Sequence, residues 1–314
     1  MTSEVVQIVG VSKKFKGVVA LNDVSISVKK NTIFGLLGSN GAGKTTLLHI
    51  LSGLLSYSQG DVYIFDEKTK KHSKSLKRRI AIVPQKISLY EELTIKENIH
   101  FFGKAYGIKR KELKDKIQMW ADILQLGDLK RKVKFLSGGY QRRVSIAVAL
   151  IGDPEIIILD EALVGIDLET KRIITNLLIE LKETKTIILT THSIHDAEIL
   201  CDDICFLHRG VKIMDGSTKD IIYRYASRQG NKVNLTFDDF KIAEKIMILI
   251  QDSVKEVTRE GNVLHVRIFS DRYGLSYILD IIRNAKERYK DIEIKKPGLE
   301  EVIFRFMQSD YTNI

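Results

Sequence analysis

The sequence is poor in cysteine and lacks both long apolar runs and the features of a secretion signal. Only two of its 314 residues are cysteines, Cys201 and Cys205, so a disulfide framework is excluded and we expect two reduced, packed thiols. No window approaches the ~18–20 uninterrupted apolar residues that a membrane-spanning helix needs. The first residues lack the basic and apolar regions of a signal peptide. We therefore expect a cytoplasmic protein with no membrane span of its own.

Acidic residues are outnumbered by basic ones, 40 to 50, which gives a formal charge of +10. The excess is concentrated in three clusters, at residues 68–79, 104–116 and 130–134. Such clusters can face nucleic acid, an anionic membrane or water. No aromatic residue alternates with the lysines and arginines of 68–79, so the stacking half of a single-strand groove is missing there. We favour a solvated surface near a membrane and expect no nucleic-acid partner.

A glycine-rich segment at residues 38–45 fits the phosphate-loop pattern G-x-x-x-x-G-K-[ST] at every fixed position. It follows an apolar run at 33–37, and its glycines let successive N–H groups turn toward a polyphosphate at the start of a helix. Lys44 is expected to contact the β- and γ-phosphates of ATP, and the Thr45 hydroxyl to ligate Mg²⁺. The predicted nucleotide-binding residues here are Gly38, Ser39, Asn40, Gly41, Ala42, Gly43, Lys44, Thr45 and Thr46.

Two segments near the start, residues 5–9 and 21–28, alternate apolar and polar residues with the period of strands. Between them a polar stretch at 13–17 carries Phe15. Core packing explains an aromatic residue on a polar loop poorly, so we expect Phe15 to stack on a purine base. Alternatively, its ring closes over the edge of the sheet.

A short buried strand is predicted at 80–83, where Pro84 stops it and Gln85 follows. A glutamine at the end of a core strand beside a nucleotide can reach the metal ion or the attacking water. From residue 93 to 129 the apolar residues recur with helical spacing, which predicts a mostly helical insertion.

Residues 156–159 are wholly apolar and lead into two carboxylates, Asp160 and Glu161. A run that is apolar on both faces belongs in the middle of a parallel sheet, and ligands of such sheets bind at the carboxyl ends of the strands. We therefore expect Asp160 to hold Mg²⁺ through its water shell. Glu161, on the other side of the pleat, is expected to polarise a water for attack on the γ-phosphate.

A further strand at 186–190 leads to His192, which is expected to donate to the γ-phosphate. His195 and Glu198 follow closely and permit a zinc site. Two histidines within one turn are common on protein surfaces, so we favour the nucleotide role for His192.

The segment 136–143 reads Leu-Ser-Gly-Gly-Tyr-Gln-Arg-Arg and opens an apolar helix. Ser137 at the N-cap, followed by Gly138 and Gly139, makes a second anion site at a helix N-terminus. One chain would then hold two phosphate sites but only one lysine loop. We therefore expect two copies to face each other, each offering this serine to the nucleotide held by the other's Lys44.

The last third of the chain is predicted to be a separate unit. A polar linker at 217–230 precedes an alternation of strand and helix patterns across 231–314, which is similar to a ferredoxin-like split β-α-β fold. A terminal helix carries an apolar stripe that needs a partner, either the unit's own sheet or another subunit. The residues of the stripe are Leu299, Val302, Ile303 and Phe306.

These segments occur in the order and at the approximate spacing of ABC-type ATPase domains, which the chain resembles from about residue 5 to 216. The Leu-Ser-Gly-Gly-Tyr-Gln segment is specific to that superfamily. The resemblance implies an α/β phosphate-loop fold over 1–216 with a helical insertion at about 86–136, plus a small α+β domain. It also implies that two Mg-ATP are held between the subunits of a head-to-tail dimer.

In this resemblance, Phe15 matches the adenine-stacking position and Gln85 the Q-loop. Glu161 matches the catalytic base, and His192 the switch histidine. One departure is visible, because residues 162–167 read Ala-Leu-Val-Gly-Ile-Asp where the family usually has proline and a small hydroxyl residue after the glutamate. Asp167 still matches the aspartate that crosses the dimer interface.

The tail at 297–304 looks like the ending of ATPases from ABC-2-type exporters. The function implied is an ATPase at the inner face of the cell membrane that powers export through separate membrane-spanning permease subunits. It would act as a homodimer or with a related ATPase. Alternatives are a soluble ABC ATPase acting on nucleic acid or the ribosome, and a scaffold that does not hydrolyse ATP.

Overall fold

The structure is a computed structural model that describes residues 3–69, 74–268, 274–295 and 297–308, with residues 226–229 and 308 described by their backbone alone. The chain divides into two compact units, Met1–Ser217 and Thr218–Ile314, called here unit 1 and unit 2. Part of the first basic cluster, residues 70–73, and the end of the predicted C-terminal domain, 309–314, lie outside the described residues.

Unit 1 alternates strands and helices along most of its length. Its strands are β1 (Glu4–Phe15), β2 (Val18–Lys29), β3 (Ile33–Leu37), β4 (Gln59–Ile64), β5 (Glu67–Lys68), β6 (Ile80–Val83), β7 (Ile156–Asp160), β8 (Thr186–Thr191), β9 (Asp203–His208) and β10 (Val211–Ser217). Its helices are α1 (Lys44–Leu51), α2 (Lys74–Arg79), α3 (Ile95–Ala105), α4 (Arg110–Ile123), α5 (Gly138–Leu150), α6 (Leu168–Leu181) and α7 (Ile194–Leu200).

The central sheet has the order β10-β9-β3-β8-β7-β6, and its strands from β9 to β6 pair in parallel. Every residue of β3, β7 and β8 is buried, as expected for strands covered on both faces. Leu37 pairs with Thr191, and Asp160 with Thr190. The ends of three neighbouring strands therefore meet at one edge of the sheet, and the site is built there.

A second, antiparallel sheet has the order β2-β1-β4-β5. The position of Phe15 differs from the prediction of a polar loop at 13–17, since Phe15 ends β1 and pairs with Val18 of β2 across a tight turn. Register shifts along the two strands absorb the polar residues there, so pairing continues almost to the turn.

The insertion between β6 and α5 is helical, as predicted, and consists mainly of α3 and α4. The side chains of Thr94 and Glu97 form a capping box at the start of α3. The fully buried Asn98 accepts a hydrogen bond from the Tyr90 N–H and donates to the Tyr90 carbonyl. These bonds fix the loop that precedes α3.

Unit 2 is built from four strands and four helices among its described residues. The strands are β11 (Asn231–Thr236), β12 (Glu256–Glu260), β13 (Val263–Ile268) and β14 (Asp291–Lys295), and the helices are α8 (Thr218–Gln229), α9 (Phe240–Ile250), α10 (Leu275–Asn284) and α11 (Leu299–Gln308). From β11 to β14 the elements follow the β-α-β-β-α-β order, in an antiparallel sheet ordered β12-β13-β11-β14. The apolar face of this sheet packs against α9 and α10.

The segment predicted as a polar linker at 217–230 is instead the end of β10 and helix α8. The linker prediction was wrong because α8 is largely polar, and its packing partner α11 lies more than 70 residues further along the chain. Tyr225 of α8 is buried, and its hydroxyl donates to Glu301 of α11. Of the predicted apolar stripe on α11, Leu299, Val302 and Ile303 are buried, while Phe306 is exposed.

Candidate nucleotide site

The phosphate loop runs from the end of β3 into α1. Gly38, Gly41 and Gly43 have positive φ angles of 148°, 78° and 101°, which side chains disfavour. A Cβ atom on Gly38 would lie 2.3 Å from the Leu207 carbonyl oxygen, and one on Gly43 would lie 2.6 Å from that of Ala20. The fold therefore requires glycine at two of the motif positions, independently of any ligand.

Lys44 begins α1 and is only 5% exposed. Its ammonium donates hydrogen bonds to the carbonyl oxygens of Gly38 and Ser39 at 2.8 and 3.1 Å. Nζ also lies 3.9 Å from Glu161 Oε1. Burial lowers the pKa of Lys44, and the carboxylates of Glu161 and Asp160 act in the opposite direction. The ammonium thus faces the carboxyl ends of the strands.

Glu161 is the residue around which the predicted catalytic side chains gather. Gln85 Nε2 donates to Glu161 Oε2 at 2.9 Å, and His192 Nδ1 lies 3.7 Å from Glu161 Oε1. Strand β7 ends at Asp160, and Glu161 adopts a left-handed backbone conformation with φ of 46°. Glu161 therefore lies beyond the end of the strand, so its direction is set by this turn and not by the pleat from which it was predicted. Left-handed non-glycine residues of this kind are often found at functional sites.

Thr190 of β8 joins the two carboxylate residues. Its hydroxyl donates to Asp160 Oδ1 at 2.7 Å and accepts a hydrogen bond from the Glu161 N–H at 2.9 Å. Thr190 and Asp160 are both buried. The sequence analysis missed Thr190, although a hydroxyl residue ending an otherwise apolar strand was a signal that could have identified it.

The segment that opens α5 has the expected cap, since the Ser137 side chain accepts a hydrogen bond from the Tyr140 N–H. A Cβ atom on Gly139 would lie 2.4 Å from Asp167 Oδ2 and 2.9 Å from Thr170 Oγ1, so any larger residue here would have to displace these two side chains. A Cβ atom on Gly138 would meet nothing within 4 Å among the described residues. Asp167 caps α6, and the hydrogen bond from the Thr170 N–H holds the pKa of its carboxyl below the usual range.

Comparisons with known proteins identify the family. The profile described as "ABC transporter" matches residues 21–164. Nod factor export ATP-binding protein I of Bradyrhizobium diazoefficiens is 37% identical over 227 residues, which cover 71% of this chain and 73% of that protein. The chain belongs to the ABC transporter family. Linearmycin resistance ATP-binding protein LnrL of Bacillus subtilis, another member, is 33% identical over 289 residues, or 89% of this chain and 90% of that protein.

Solved structures of ABC transporter cassettes have the same fold. A dimeric ATP-binding cassette in a post-hydrolysis state, bound to ADP and Pi, superposes with a TM-score of 0.62 at 28% identity. The match covers 68% of this chain and 98% of that one. The chain is therefore an ATP-binding subunit of an ABC transporter with ATPase activity, and the main interpretation of the sequence is supported over the nucleic-acid or ribosome alternative.

Within the ABC transporter fold, the predicted site residues fall into two groups. Lys44, Gln85, Glu161 and His192 lie together, and Thr190 connects Asp160 to them. Among the described residues, no hydrogen bond or ion pair joins Phe15, Thr45 or the glycines after Ser137 to that cluster. The partly exposed ring of Phe15 instead lies 5.1 Å from Lys13 Nζ.

The residues that the sequence analysis assigned to Mg²⁺ all carry oxygen donors. Thr45 is exposed on the first turn of α1, Asp160 is buried at the strand end, and Gln85 is exposed beside Glu161. Hydroxyl, carboxylate and amide oxygens of this kind suit Mg²⁺. Within the described ranges, no group of three or more His, Cys, Asp and Glu side chains is arranged to hold a metal ion, including around His195. Cys201 and Cys205 are buried, form no disulfide, and have raised thiol pKa values because of burial.

A second residue that the sequence analysis missed is Arg142 of α5. Its guanidinium is buried and donates to the carbonyl oxygens of Pro84 and Gln85 at 2.5 and 2.6 Å. Its signal was an arginine on the buried side of an otherwise apolar helix.

The described helices include none that is both long and apolar enough to cross a bilayer.

Proposed function

We propose that this ATPase subunit drives export through separate membrane-spanning subunits and works as a dimer with two shared nucleotide sites. The observation that carries the catalytic part is the convergence of Lys44, Gln85 and His192 on the Glu161 carboxylate. The export part is supported by the relatives, whose names describe Nod factor export and linearmycin resistance. The exported substrate of this chain is a separate question.

Each residue of the cluster takes a distinct chemical role in this proposal. Lys44 leaves the loop carbonyls to bind the β- and γ-phosphates, with the loop N–H groups and Thr46 beside it. Glu161 accepts the proton of the attacking water, and Gln85 orients that water through its hydrogen bond to the carboxylate. His192 donates to the γ-phosphate, and Phe15 stacks on the adenine.

We propose Mg²⁺ as the cofactor, held by the Thr45 hydroxyl, the Gln85 amide oxygen and, through water, the Asp160 carboxylate. When bound, Mg²⁺ neutralises charge on the phosphates. The Thr190 hydroxyl occupies one Asp160 oxygen and leaves the other to accept from a water ligand of the metal. This support from a buried hydroxyl is what keeps a carboxylate fixed at the end of β7.

We propose that the second half of each nucleotide site comes from another copy of the chain or from a related ATPase. Ser137, Gly138 and Gly139 lie at the N-terminus of α5, whose N–H groups and dipole favour an anion. Gly138 faces open space, as a phosphate-contacting residue must. Leu168, next to Asp167, is 84% exposed, which is unusual for leucine and fits a surface that dimerisation covers.

The helical insertion is the proposed docking surface for the membrane-spanning subunits. Tyr90 and Phe101 are exposed, and their rings meet edge to face with centroids 4.9 Å apart. Exposed aromatic pairs on a rigid base favour protein contacts. Asn98 supplies the rigid base by binding the Tyr90 backbone. Docking there would hold the subunit at the inner face of the membrane.

The test compares the membrane binding of wild type and two variants. Wild type and Leu54→Ser, an exposed apolar control outside the insertion, should sediment with membranes from cells that make the transporter. Tyr90→Ser combined with Phe101→Ser should remain in the supernatant while keeping ATP binding. Equal sedimentation of all three proteins would contradict docking at this surface. If Leu54→Ser also failed to sediment with membranes, the loss of binding would not be specific to the Tyr90 and Phe101 surface.

Unit 2 is proposed to be an accessory module that holds the dimer together. The alignment with the linearmycin resistance ATP-binding protein LnrL spans 289 residues, more than unit 1 contains, so it extends into unit 2. Leu299, Val302 and Ile303, which form most of the apolar stripe that had suggested dimerisation, are already buried within the chain. They therefore do not need a second subunit to cover them. The remaining exposed apolar side chains on α11 are Phe304, Phe306 and Met307.

A further inference from the structure

Two neighbouring arginines of α5 reach in different directions. Arg142 donates to the carbonyl oxygens of Pro84 and Gln85, whereas Arg143 donates to those of Leu124 and Gln125 at 3.0 Å each. The first pair of carbonyls lies beside the nucleotide site, directly after β6. The second pair lies at the end of α4, in the helical insertion.

The Arg142 contacts fix the backbone of the residue that reaches Glu161. Arg142 is 5% exposed, and burial lowers the pKa of its guanidinium, while Asp160 acts in the opposite direction. Burying a cation is costly, and the Arg142 Nη1 and Nη2 atoms offset part of this cost by donating to Pro84 and Gln85, whereas Nε has no hydrogen-bond partner among the described residues. The two short bonds hold the segment in place. The side chain of Gln85 then extends from this fixed backbone to Glu161 Oε2.

The same helix begins at the residue proposed to meet the partner's nucleotide. Ser137 caps α5, and Arg142 lies little more than one turn further along it. Because Ser137 and Arg142 belong to one helix, a displacement of the Ser137 end would also move Arg142 and the Gln85 backbone to which Arg142 is bonded.

We propose that Arg142 is a positioning residue that couples the nucleotide bound by the partner subunit to Gln85 in this chain's own site. The proposal rests on the roles proposed above for Ser137 and Gln85. Arg142 itself touches neither substrate nor metal in this scheme. It acts by positioning the Gln85 side chain, so its loss should impair only the catalytic steps to which Gln85 contributes.

The full-length chain is tested as the double variant described below and as four single variants. These are Arg142→Met, which keeps the volume but removes the donors, Arg142→Lys, Gln85→Ala, and the matched control Arg143→Met. We expect Arg142→Met to lower kcat by about tenfold or more, with the KM for ATP within about twofold of wild type, because only the geometry of catalysis is disturbed. Mn²⁺ replaces Mg²⁺ in a second measurement, in which bound Mn²⁺ is counted by electron paramagnetic resonance with ATP present. The Mn²⁺ concentration that half-saturates Arg142→Met should be about tenfold higher than for wild type. Arg143→Met should resemble wild type in both measurements.

The kcat of the double variant Arg142→Met with Gln85→Ala should be no lower than that of Gln85→Ala alone, because both changes remove the same contribution of the Gln85 side chain to catalysis. Multiplicative losses would show that Arg142 acts independently of Gln85 and would overturn the proposal. Equal losses in Arg142→Met and Arg143→Met would also overturn it, since they would indicate general destabilisation of α5. If Arg142→Met does not fold, Arg142→Lys decides, with an intermediate kcat and Mn²⁺ requirement expected and wild-type values contradicting the proposal.

Failure of the underlying roles gives a different result. If Gln85→Ala leaves kcat and the Mn²⁺ requirement unchanged, the proposed role of Gln85 is wrong and the coupling through Arg142 falls with it. If Gln85→Ala is impaired and Arg142→Met is not, the role of Gln85 stands and only the coupling is overturned. The Hill coefficient for ATP should fall toward 1 in Arg142→Met but not in Arg143→Met.

Discussion

The amide of Gln85 and the carboxylate of Glu161 are joined by a hydrogen bond of 2.9 Å, across the ends of two neighbouring strands of the central sheet. The donor is Gln85 Nε2, and Glu161 Oε2 accepts. Lys44 and His192 approach the other carboxylate oxygen, at 3.9 and 3.7 Å. In the proposed mechanism, this carboxylate accepts the proton of the attacking water.

The first prediction separates nucleotide binding from hydrolysis. Glu161→Gln should retain ATP binding, since a glutamine oxygen can still accept from Gln85, but should lower kcat by about 10²–10⁴-fold because the base is lost. Lys44→Ala should weaken ATP binding itself. Equilibrium binding and single-turnover hydrolysis measure the two effects, and turnover of Glu161→Gln within a few-fold of wild type would show that Glu161 is not the base.

The second prediction concerns the sharing of sites between subunits. An equal mixture of Lys44→Ala and Ser137→Arg chains should recover about a quarter of wild-type ATPase activity, because half of the dimers are mixed and each has one complete site. Mixing Lys44→Ala with Glu161→Gln is the control. Both of these changes affect the loop side of a site, so no complete site can form. An absence of recovery in the first mixture, despite measured subunit exchange, would contradict a shared site.

The third prediction tests the support that Thr190 gives to both carboxylate residues. Thr190→Val keeps the shape of β8 but leaves the Glu161 N–H and one Asp160 oxygen without their partner, so kcat should fall by about tenfold or more. Thr186→Val is the matched control, since its buried hydroxyl accepts from the Asn31 N–H at the opposite end of the same strand. Both variants should lose about 1–3 kcal/mol of stability in urea unfolding, but only Thr190→Val should lose activity.

The parts of this site that the sequence predicted are those in which a motif fixes the backbone. Gly38 and Gly43 must be glycine because neighbouring carbonyl oxygens lie too close, so motif spacing carries structural information. The parts that it missed depend on contacts between distant segments. Thr190 lies about 30 residues from Asp160, and Arg142 more than 50 from Gln85, and neither partner can be identified from local spacing.

The same distinction explains the errors in unit 2. Helix α8 was predicted as a linker because its apolar residues are few and its partner α11 is distant in sequence. Strand β12 has a weak sequence pattern because most of its residues are polar and exposed, with Val257 packing against the core. Long-range pairing determines such elements more than local propensity does.

The fourth prediction is a dependence of unit 2 stability on acid. Burial alone would raise the pKa of Glu301, but hydrogen bonds from Arg267 and Lys232 outweigh it and lower the pKa below the usual 4.5. The stabilisation is therefore present above pH 4.5 and is lost as the pH falls through the lower, folded-state value. Glu301→Gln should reduce the free energy of unfolding near pH 7 by only about 1–2 kcal/mol, because the ion pair is partly exposed. It should also flatten the decline of that free energy in acid, because the titrating carboxylate is gone.

Glu300→Gln is the control for this experiment, since Glu300 is the exposed neighbour of Glu301 on the same helix. Thermal unfolding between pH 3 and 7 compares the two variants with wild type. The same acid dependence in wild type and Glu301→Gln would mean that this carboxylate does not couple to folding.

The last prediction concerns the role of unit 2 in holding the dimer. A chain that ends at Ser217 stops at the end of β10, so it removes unit 2 without cutting a strand of unit 1. Its nucleotide cluster stays intact, and ATP binding should be unchanged. Assembly would then rest on the nucleotide sandwich alone, so the truncated chain should need roughly tenfold or more protein to reach the same ATPase activity per subunit.

Sedimentation velocity without nucleotide decides the point, because the sandwich contributes nothing there. The full-length chain should contain dimer at concentrations where the truncated chain is monomeric. Phe304→Ser combined with Met307→Ser should shift the full-length chain toward monomer if the exposed part of α11 is the contact. Identical monomer fractions in the full-length and truncated chains would remove the dimer-holding role, and would leave the docking of α11 on α8 as a contact that serves unit 2 alone.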